Sequence, residues 1–341
     1  MKKQTIKEIC MFTVTAVALA AFIGISSSIL IPKRTNYGST WSSFETEAEN
    51  SAEVMFFGSS LTYCDVIPAK IWESSGISTY VMAGPEQTIP MSYFYIKEAA
   101  RTQKPRVLFL EVTGAFYREY ESFTKVNIGY MPWGTNRIRA TLHAAERPEW
   151  AGLFFPPYNY HSRWDELEDG EIMLGLQGMG EDKLAGYTIT CTATPIEKIT
   201  RRNEVFDEKN YKRNISYLRK ISNFCEKQDI TPVFYIAPNC TRLSSEHLAM
   251  LKGDIEKIGK AGFVDFNENI DDFKFDYKLD FYDPLHLNFM GAEKFSTYLG
   301  KMLKEEYGMK PSEETDDELW QERLDYYNDL MAELAPELVK R

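Results

Sequence analysis

The chain has 341 residues, of which 44% are hydrophobic and 14% aromatic, and its formal net charge is −11. This composition excludes a disordered chain and provides enough apolar side chain for one large domain with insertions or for two small domains. The excess of acidic residues argues against a nucleic acid as partner, because a phosphate backbone is bound by basic surfaces.

The first predicted element is a membrane-spanning helix near the N-terminus. Residues 9–32 contain no charged side chain, and a helix of that length extends about 36 Å, enough to cross a hydrocarbon layer of about 30 Å. Three lysines precede it, so residues 1–34 are predicted to be a cytoplasmic N-terminus and a signal anchor in the cell membrane, with the rest extracytoplasmic. A cleaved signal peptide is the alternative, since Ala18 and Ala20 form a small-x-small cleavage site. Because residues 1–34 have a net charge of +4, the remainder carries −15.

Residues 35–51 are polar and turn-rich, which predicts a tether, and a domain at 52–310 follows in which short apolar runs alternate with helical segments. The predicted strands are 54–57, 79–83, 106–112, 232–237 and 263–266. The predicted helices are 68–75, 90–102, 210–227 and 245–260. Buried strands separated by helices indicate an α/β fold, a doubly wound, flavodoxin-like sheet of five parallel strands.

The connection between the third and fourth predicted strands is unusually long. It has about 95 residues where a single crossover helix is typical. We interpret residues 115–207 as a lid or substrate-binding insertion over the site. His161 and Arg163 are candidates there for contacts to an anionic or sugar substrate, while a structural, hydrogen-bonded role fits His161 equally well.

The C-terminal segment, residues 311–341, begins with acidic residues and continues with apolar residues at helical spacing. This pattern predicts an amphipathic helix whose acidic start suits the helix dipole. Its apolar side is expected to pack on the same domain, with a partner surface as the alternative.

Two motifs at opposite ends of the domain carry the chemistry. Ser60 follows the first strand in a Gly-Ser-Ser turn, and Asp283 stands three residues before His286 near the end of the domain. Parallel sheets bind ligands beyond the carboxyl ends of their strands. A hydroxyl, an imidazole and a carboxylate together supply the nucleophile, base and orienting acid of acyl transfer or ester hydrolysis.

At these residues the sequence resembles the SGNH/GDSL hydrolase family, from residue 36 to about residue 305. Gly58-Ser59-Ser60-Leu61 is similar to the family's Gly-Asp-Ser-Leu block, Gly84 to its second-block glycine, and Asp283 with His286 to its last block. More narrowly, the chain looks like a membrane-anchored bacterial branch that acts in teichoic-acid D-alanylation and polysaccharide O-acetylation.

The chain departs from the family pattern at the third block. No Gly-x-Asn-Asp follows the third strand, so the asparagine that completes the family's oxyanion hole is unassigned. The oxyanion donors implied by the resemblance are the backbone N–H groups of Ser60 and Gly84. Asn239, or else Asn159 in the insertion, is a candidate for the third donor.

The resemblance implies a serine esterase or O-acyltransferase that acts through an acyl-serine on cell-surface polysaccharide or teichoic-acid-like polymers, beside a membrane-bound O-acyltransferase. The alternative is a catalytically inactive, membrane-tethered scaffold for such a partner. No cofactor and no metal is expected, although Asp280, Asp283 and His286 together would be a possible ligand set.

Overall fold

The computed structural model describes residues 2–33, 41–118, 123–202 and 206–338. The strands are β1 (Val54–Gly58), β2 (Thr79–Ala83), β3 (Val107–Glu111), β4 (Thr200–Arg201), β5 (Thr231–Ile236), β6 (Thr241–Arg242) and β7 (Gly262–Asp265). The α-helices are α1 (Lys2–Leu30), α2 (Trp41–Phe44), α3 (Ser60–Tyr63), α4 (Pro68–Ser75), α5 (Ile89–Ala99), α6 (Thr124–Gly129), α7 (Thr135–Ala144), α8 (Trp150–Phe154), α9 (Pro156–Tyr160), α10 (Asp169–Gln177), α11 (Glu208–Lys227), α12 (Ser245–Ile258), α13 (Phe289–Glu305) and α14 (Asp317–Leu338). Short 3₁₀ helices lie at Thr113–Phe116, Arg147–Glu149, His161–Asp165 and Ile270–Phe273.

The central sheet has five strands in the order β2-β1-β3-β5-β7, and all neighbouring strands are parallel. The prediction of a five-stranded parallel sheet in a mixed α/β fold is therefore confirmed. The strands β4 and β6 form a separate parallel pair that the sequence analysis does not predict.

Helices cover both faces of the central sheet because successive side chains of each strand point to opposite sides. Met55 and Phe57 of β1 join a hydrophobic cluster with α5, α11 and α12. Val54 and Phe56 join a second cluster with α4 and α13. Every residue of β1, β2 and β3 is buried, which is typical of a parallel sheet covered on both sides.

The N-terminal helix α1 is long and apolar enough to cross a membrane. Most of its length is exposed, whereas Ser26, Ser27 and Leu30 near its C-terminal end are buried. That end packs against α9, α10 and the 3₁₀ helix His161–Asp165. The long connection between β3 and β5 thus contains helices that support the end of α1. The orientation of α1 and its cleavage stay predictions.

The helix α14 packs on the domain through Trp320, Leu324, Tyr327 and Met331, all of which are buried. It also contacts α4. The apolar side of this helix is thus covered by its own chain.

Candidate active site

The turn that presents Ser60 depends on a glycine. Gly58, the last residue of β1, has φ of 151°, a conformation that L side chains rarely adopt. A Cβ there would lie 2.4 Å from Thr62 Oγ1 and 2.8 Å from Glu111 Cβ. Ser60 is the first residue of α3, where a backbone N–H has no acceptor within the helix and is available to a ligand.

The structure brings Ser60, His286 and Asp283 together across 226 positions of the chain. His286 Nε2 lies 2.7 Å from Ser60 Oγ, and His286 Nδ1 lies 2.9 Å from Asp283 Oδ2. Asp283 Oδ1 also accepts the backbone N–H groups of Leu285 and His286, at 2.7 and 3.0 Å. One carboxylate therefore fixes both the turn and the imidazole that the turn presents.

The Asp283 carboxylate is stabilised in its ionised form. Burial raises the pKa of this carboxyl, but its bonds to His286 and to the two backbone N–H groups outweigh burial and hold the pKa below its usual value. Because the ionised form accepts these bonds, they stabilise the folded chain above about pH 4 and are lost as the pH falls below the folded-state pKa. The imidazole thus has an ionised partner at neutral pH.

A second carboxyl, that of Asp65, holds the backbone of the turn that contains His286. Its side chain is completely buried, and Oδ1 accepts the backbone N–H of Leu287, the residue after His286, at 3.0 Å. Burial raises the pKa of Asp65 well above its usual value, which favours the protonated form. No motif in the sequence distinguishes a carboxyl placed five residues after Ser60, so only the fold identifies Asp65.

Glu111 is the last residue of β3. It is buried, and its Oε1 accepts the backbone N–H of Thr113 at 2.9 Å and the hydroxyl of the same residue. Burial raises its pKa to about 7, although the bonds from Thr113 lower it in part. A carboxyl that titrates near neutral pH therefore lies beside the Gly58 turn.

The hydroxyl of Ser60 opens into a cleft of about 240 Å³. The residues that line it are Ser60, Leu61, Glu86, Tyr117, Arg202, Leu285 and His286. Tyr117 Oη lies 3.2 Å from Ser59 Oγ, so the tyrosine ring is held next to the nucleophile turn. Arg202 Nε donates to the carbonyl of Thr241 at 3.2 Å. Glu86, Tyr117 and Arg202 belong to no motif in the sequence, and only the fold identifies them.

The predicted oxyanion donors Gly84 and Asn239 are engaged elsewhere. The Gly84 N–H donates to the Gly58 carbonyl at 3.2 Å and so continues the strand pairing. Asn239 is buried, and its Nδ2 donates to the Ala237 carbonyl at 3.0 Å. Asn159 lies in α9 beside Gly152. None of the three is among the residues that line the cleft, whereas Ser60, the other predicted donor, does line it.

His161 and Arg163 lie at the end of α1 instead of the cleft. Arg163 Nη1 donates to the Leu30 carbonyl at 2.6 Å, and its Nη2 pairs with Glu171. His161 is exposed, and its Nδ1 lies 2.9 Å from the Tyr158 carbonyl. Both residues therefore have structural contacts among the insertion helices that pack on α1, and their substrate role stays a prediction.

The metal-ligand alternative finds no geometric support within the described ranges. Asp280 Oδ2 pairs with Lys294 Nζ at 2.5 Å and accepts the Asp276 N–H at 2.6 Å. No group of three His, Cys, Asp or Glu side chains among the residues of these ranges is arranged to hold an ion.

Comparison with known proteins does not assign the chain to a family. The chain matches no protein-family model, and no curated protein matches it. The residues that line the cleft and their contacts are therefore the basis for assigning its chemistry.

Proposed function

We propose that the chain is an SGNH-type serine esterase or O-acyltransferase that forms an acyl-serine at Ser60. The observation that supports this most directly is the continuous hydrogen-bonded sequence from Ser60 Oγ to His286 Nε2 and from His286 Nδ1 to Asp283. A nucleophile and a base within hydrogen-bond reach, with the base oriented by a third group, is the geometry of serine acyl transfer.

In the first half-reaction Ser60 Oγ attacks the carbonyl carbon of an ester while His286 Nε2 takes the hydroxyl proton. Asp283 accepts the Nδ1–H bond, which fixes the tautomer and stabilises the imidazolium. The bond from the carbonyl carbon to the leaving oxygen then breaks, and His286 gives its proton to that oxygen. In the second half-reaction water or an acceptor hydroxyl attacks the acyl-serine, with His286 again as base.

The negative charge on the carbonyl oxygen requires hydrogen-bond donors. We assign this role to the backbone N–H of Ser60 at the start of α3 and to the hydroxyl of Tyr117, which lines the same cleft and would accept from Ser59 while it donates to the oxyanion. This assignment replaces Gly84, whose N–H is bonded to Gly58.

The proposed substrates are ester-linked acyl groups on cell-surface polysaccharide or teichoic-acid-like polymers. Support comes from the resemblance to the membrane-anchored SGNH branch, from a strand order that fits the flavodoxin-like arrangement, and from α1. A membrane helix would hold the cleft beside the envelope, with a membrane-bound O-acyltransferase as the partner.

Labelling with a fluorophosphonate tests the nucleophile. We expect the full-length chain in detergent to be modified at Ser60, and the His286→Ala and Asp283→Asn variants to react at least a hundredfold more slowly. The matched control is Ser59→Ala, which removes the neighbouring hydroxyl and should still be labelled. Absence of labelling at Ser60 in a folded wild-type chain would sink the enzyme hypothesis.

The inactive scaffold is the second candidate, and two observations favour it: the Gly84 N–H is already bonded, and no Gly-x-Asn-Asp block follows β3. The same labelling experiment separates the two proposals. A scaffold with a vestigial site gives the same negligible rate for the wild-type chain and for His286→Ala.

A further inference from the structure

A second cavity, of about 270 Å³, lies between the end of α1 and the loop that joins α6 to α7. The helix contributes Gly24, Ser27 and Ser28 to its walls, and Ile31, directly after the helix, also lines it. Lys33, Glu45 and Arg137 are the charged residues that line it, so the walls carry two cations and one carboxylate. This cavity shares no lining residue with the cleft at Ser60.

Arg137 is the unusual member of this cavity. Its side chain is 2% exposed, and among the described residues no carboxylate lies at ion-pair distance from it. Nη1 and Nη2 donate to the carbonyls of Met131 and Leu153 at 2.7 and 3.2 Å, whereas Nε is buried and has no acceptor. The guanidinium also stacks over the Trp133 ring, 4.2 Å from its centroid.

A buried cation without an anion is costly, and such charges are normally paired. Burial lowers the pKa of Arg137 to about 10, which still leaves the guanidinium charged at neutral pH. Backbone carbonyls satisfy two of its nitrogens but do not neutralise its charge. An anionic group in the cavity would supply both the missing charge and an acceptor for Nε.

The position of the cavity along α1 indicates where that anion comes from. Gly24 lies six residues before Leu30, so the cavity extends about 9 Å along the last turns of the apolar helix. The headgroup layer of a bilayer is of similar depth, about 5–8 Å on each side. About 20 residues cross the hydrocarbon layer, so a span that starts at Ile9 ends near residue 28, and the end of the cavity at Ile31 and Lys33 lies at the level of the lipid headgroups.

Aromatic side chains on the elements that pack against α1 support the same placement. Phe155, Tyr158 and Trp164 are 44%, 64% and 50% exposed, and they lie on or next to α9 and its following 3₁₀ helix. Exposed Trp and Tyr are enriched at the membrane–water interface, where an apolar ring meets polar headgroups.

We propose that this cavity binds the phosphate group of an anionic phospholipid headgroup, with Arg137 and Lys33 as its cationic contacts. A guanidinium matches phosphate geometry through two parallel N–H donors, and basic pockets beside membrane helices suit such headgroups. The acyl chains of the lipid would lie along the exposed part of α1. This inference does not depend on acyl chemistry at Ser60.

The test is native mass spectrometry of the full-length, delipidated chain in mild detergent, titrated with phosphatidylglycerol, phosphatidylcholine or inorganic phosphate. We expect one phosphatidylglycerol to bind at least tenfold more tightly than phosphatidylcholine. Arg137→Gln should weaken the binding of phosphatidylglycerol at least tenfold. Arg137→Lys should weaken it less, because lysine keeps the positive charge although it lacks the two parallel N–H donors of arginine. Arg139→Gln is the matched control, since Arg139 is exposed on the same helix and does not line the cavity.

Equal binding of phosphatidylglycerol to the wild-type chain and to both Arg137 variants would overturn the proposal. Binding of inorganic phosphate as tight as that of phosphatidylglycerol would also overturn it, since the site would then take a soluble anion. If circular dichroism shows that Arg137→Gln does not fold, Arg137→Lys and Lys33→Gln decide the question. Labelling of Ser60 is measured in parallel, so loss of lipid binding is distinguished from loss of the acyl site.

Discussion

At the scale of single residues, three carboxyls close to the Ser60 and His286 turns differ in burial and in charge: Asp283 is partly exposed, whereas Asp65 and Glu111 are buried. Asp283 is held ionised by its bonds to His286 and to the backbone, while Asp65 and Glu111 have raised pKa values because burial disfavours their charge. The surroundings of Ser60 and His286 therefore include one ionised carboxylate and two carboxyls that favour a proton.

The pH dependence of stability should reflect Glu111. Its pKa is about 7 in the folded chain and about 4.3 when unfolded, so the folded state binds more protons between these values. The free energy of unfolding should then fall as the pH rises from about 4.3 to 7, by at most about 1.4 kcal/mol per pH unit from this group. Urea unfolding at several pH values measures how steeply the free energy of unfolding falls with pH. This fall should be smaller for Glu111→Gln, which keeps an acceptor for Thr113. An unchanged slope would contradict the raised pKa.

Removal of the Tyr117 hydroxyl tests its assigned role. Tyr117→Phe should lower kcat for a small ester about a hundredfold and leave KM nearly unchanged, since an oxyanion donor acts mainly in the transition state. Steady-state kinetics measure both parameters. Tyr326→Phe is the control, because Tyr326 is exposed on α14. A Tyr117→Phe enzyme with the wild-type kcat would show that another group holds the oxyanion.

At the scale of elements, most helices and strands of the sheet can be predicted from the sequence. The predicted helix 68–75 coincides with α4, because Pro68 and Gly76 mark its ends, and Gly76 adopts φ of 75°. The pair β4 and β6 is too short to show a period in the sequence.

The location of the insertion helices depends on contacts with α1, which residue pattern alone does not encode. For the same reason His161 and Arg163 could not be separated from substrate-binding residues beforehand.

The contact between α4 and α13 offers a prediction at this scale. A Cβ at Gly300 would lie 2.8 Å from the Ile71 carbonyl and 2.0 Å from Ser74 Oγ. Gly300→Ala should therefore lower the free energy of unfolding by about 1–3 kcal/mol, because the helices must move apart. Gly253→Ala on α12 is the control, since its Cβ would meet open space, and it should stabilise the chain by up to about 1 kcal/mol. Urea unfolding measures the stability of both variants. Equal changes in the free energy of unfolding would contradict the close approach of α4 and α13 at Gly300.

At the scale of the whole molecule, Arg323 joins three distant parts of the chain. It is 2% exposed on α14, and it pairs with Glu47 at 2.7 Å and with Glu181 at 2.9 Å. Glu47 precedes the first strand, and Glu181 belongs to the long connection after β3. The C-terminal helix thus fixes both segments to the domain.

Arg323→Met should destabilise the chain by about 3–5 kcal/mol, because Glu47 would remain buried without its cation. Adding Glu47→Gln should recover part of this loss, since the uncompensated charge is then removed. Lys257→Ala, which breaks an exposed pair with Asp254, serves as control and should cost less than about 1 kcal/mol. Thermal or urea unfolding measures the stability of these variants. An Arg323→Met variant as stable as the wild-type chain would contradict the role of Arg323 in joining these segments.

The separation of 226 residues between Ser60 and His286 has a consequence for biosynthesis. A contact between distant positions forms late, because the intervening loop must close first. As the ribosome works from the N-terminus, α1 is complete long before the imidazole has been made. Under the proposed function, a nascent chain or a chain truncated before His286 would lack the base, and acyl chemistry would begin only after the C-terminal part of the domain had been made and had folded.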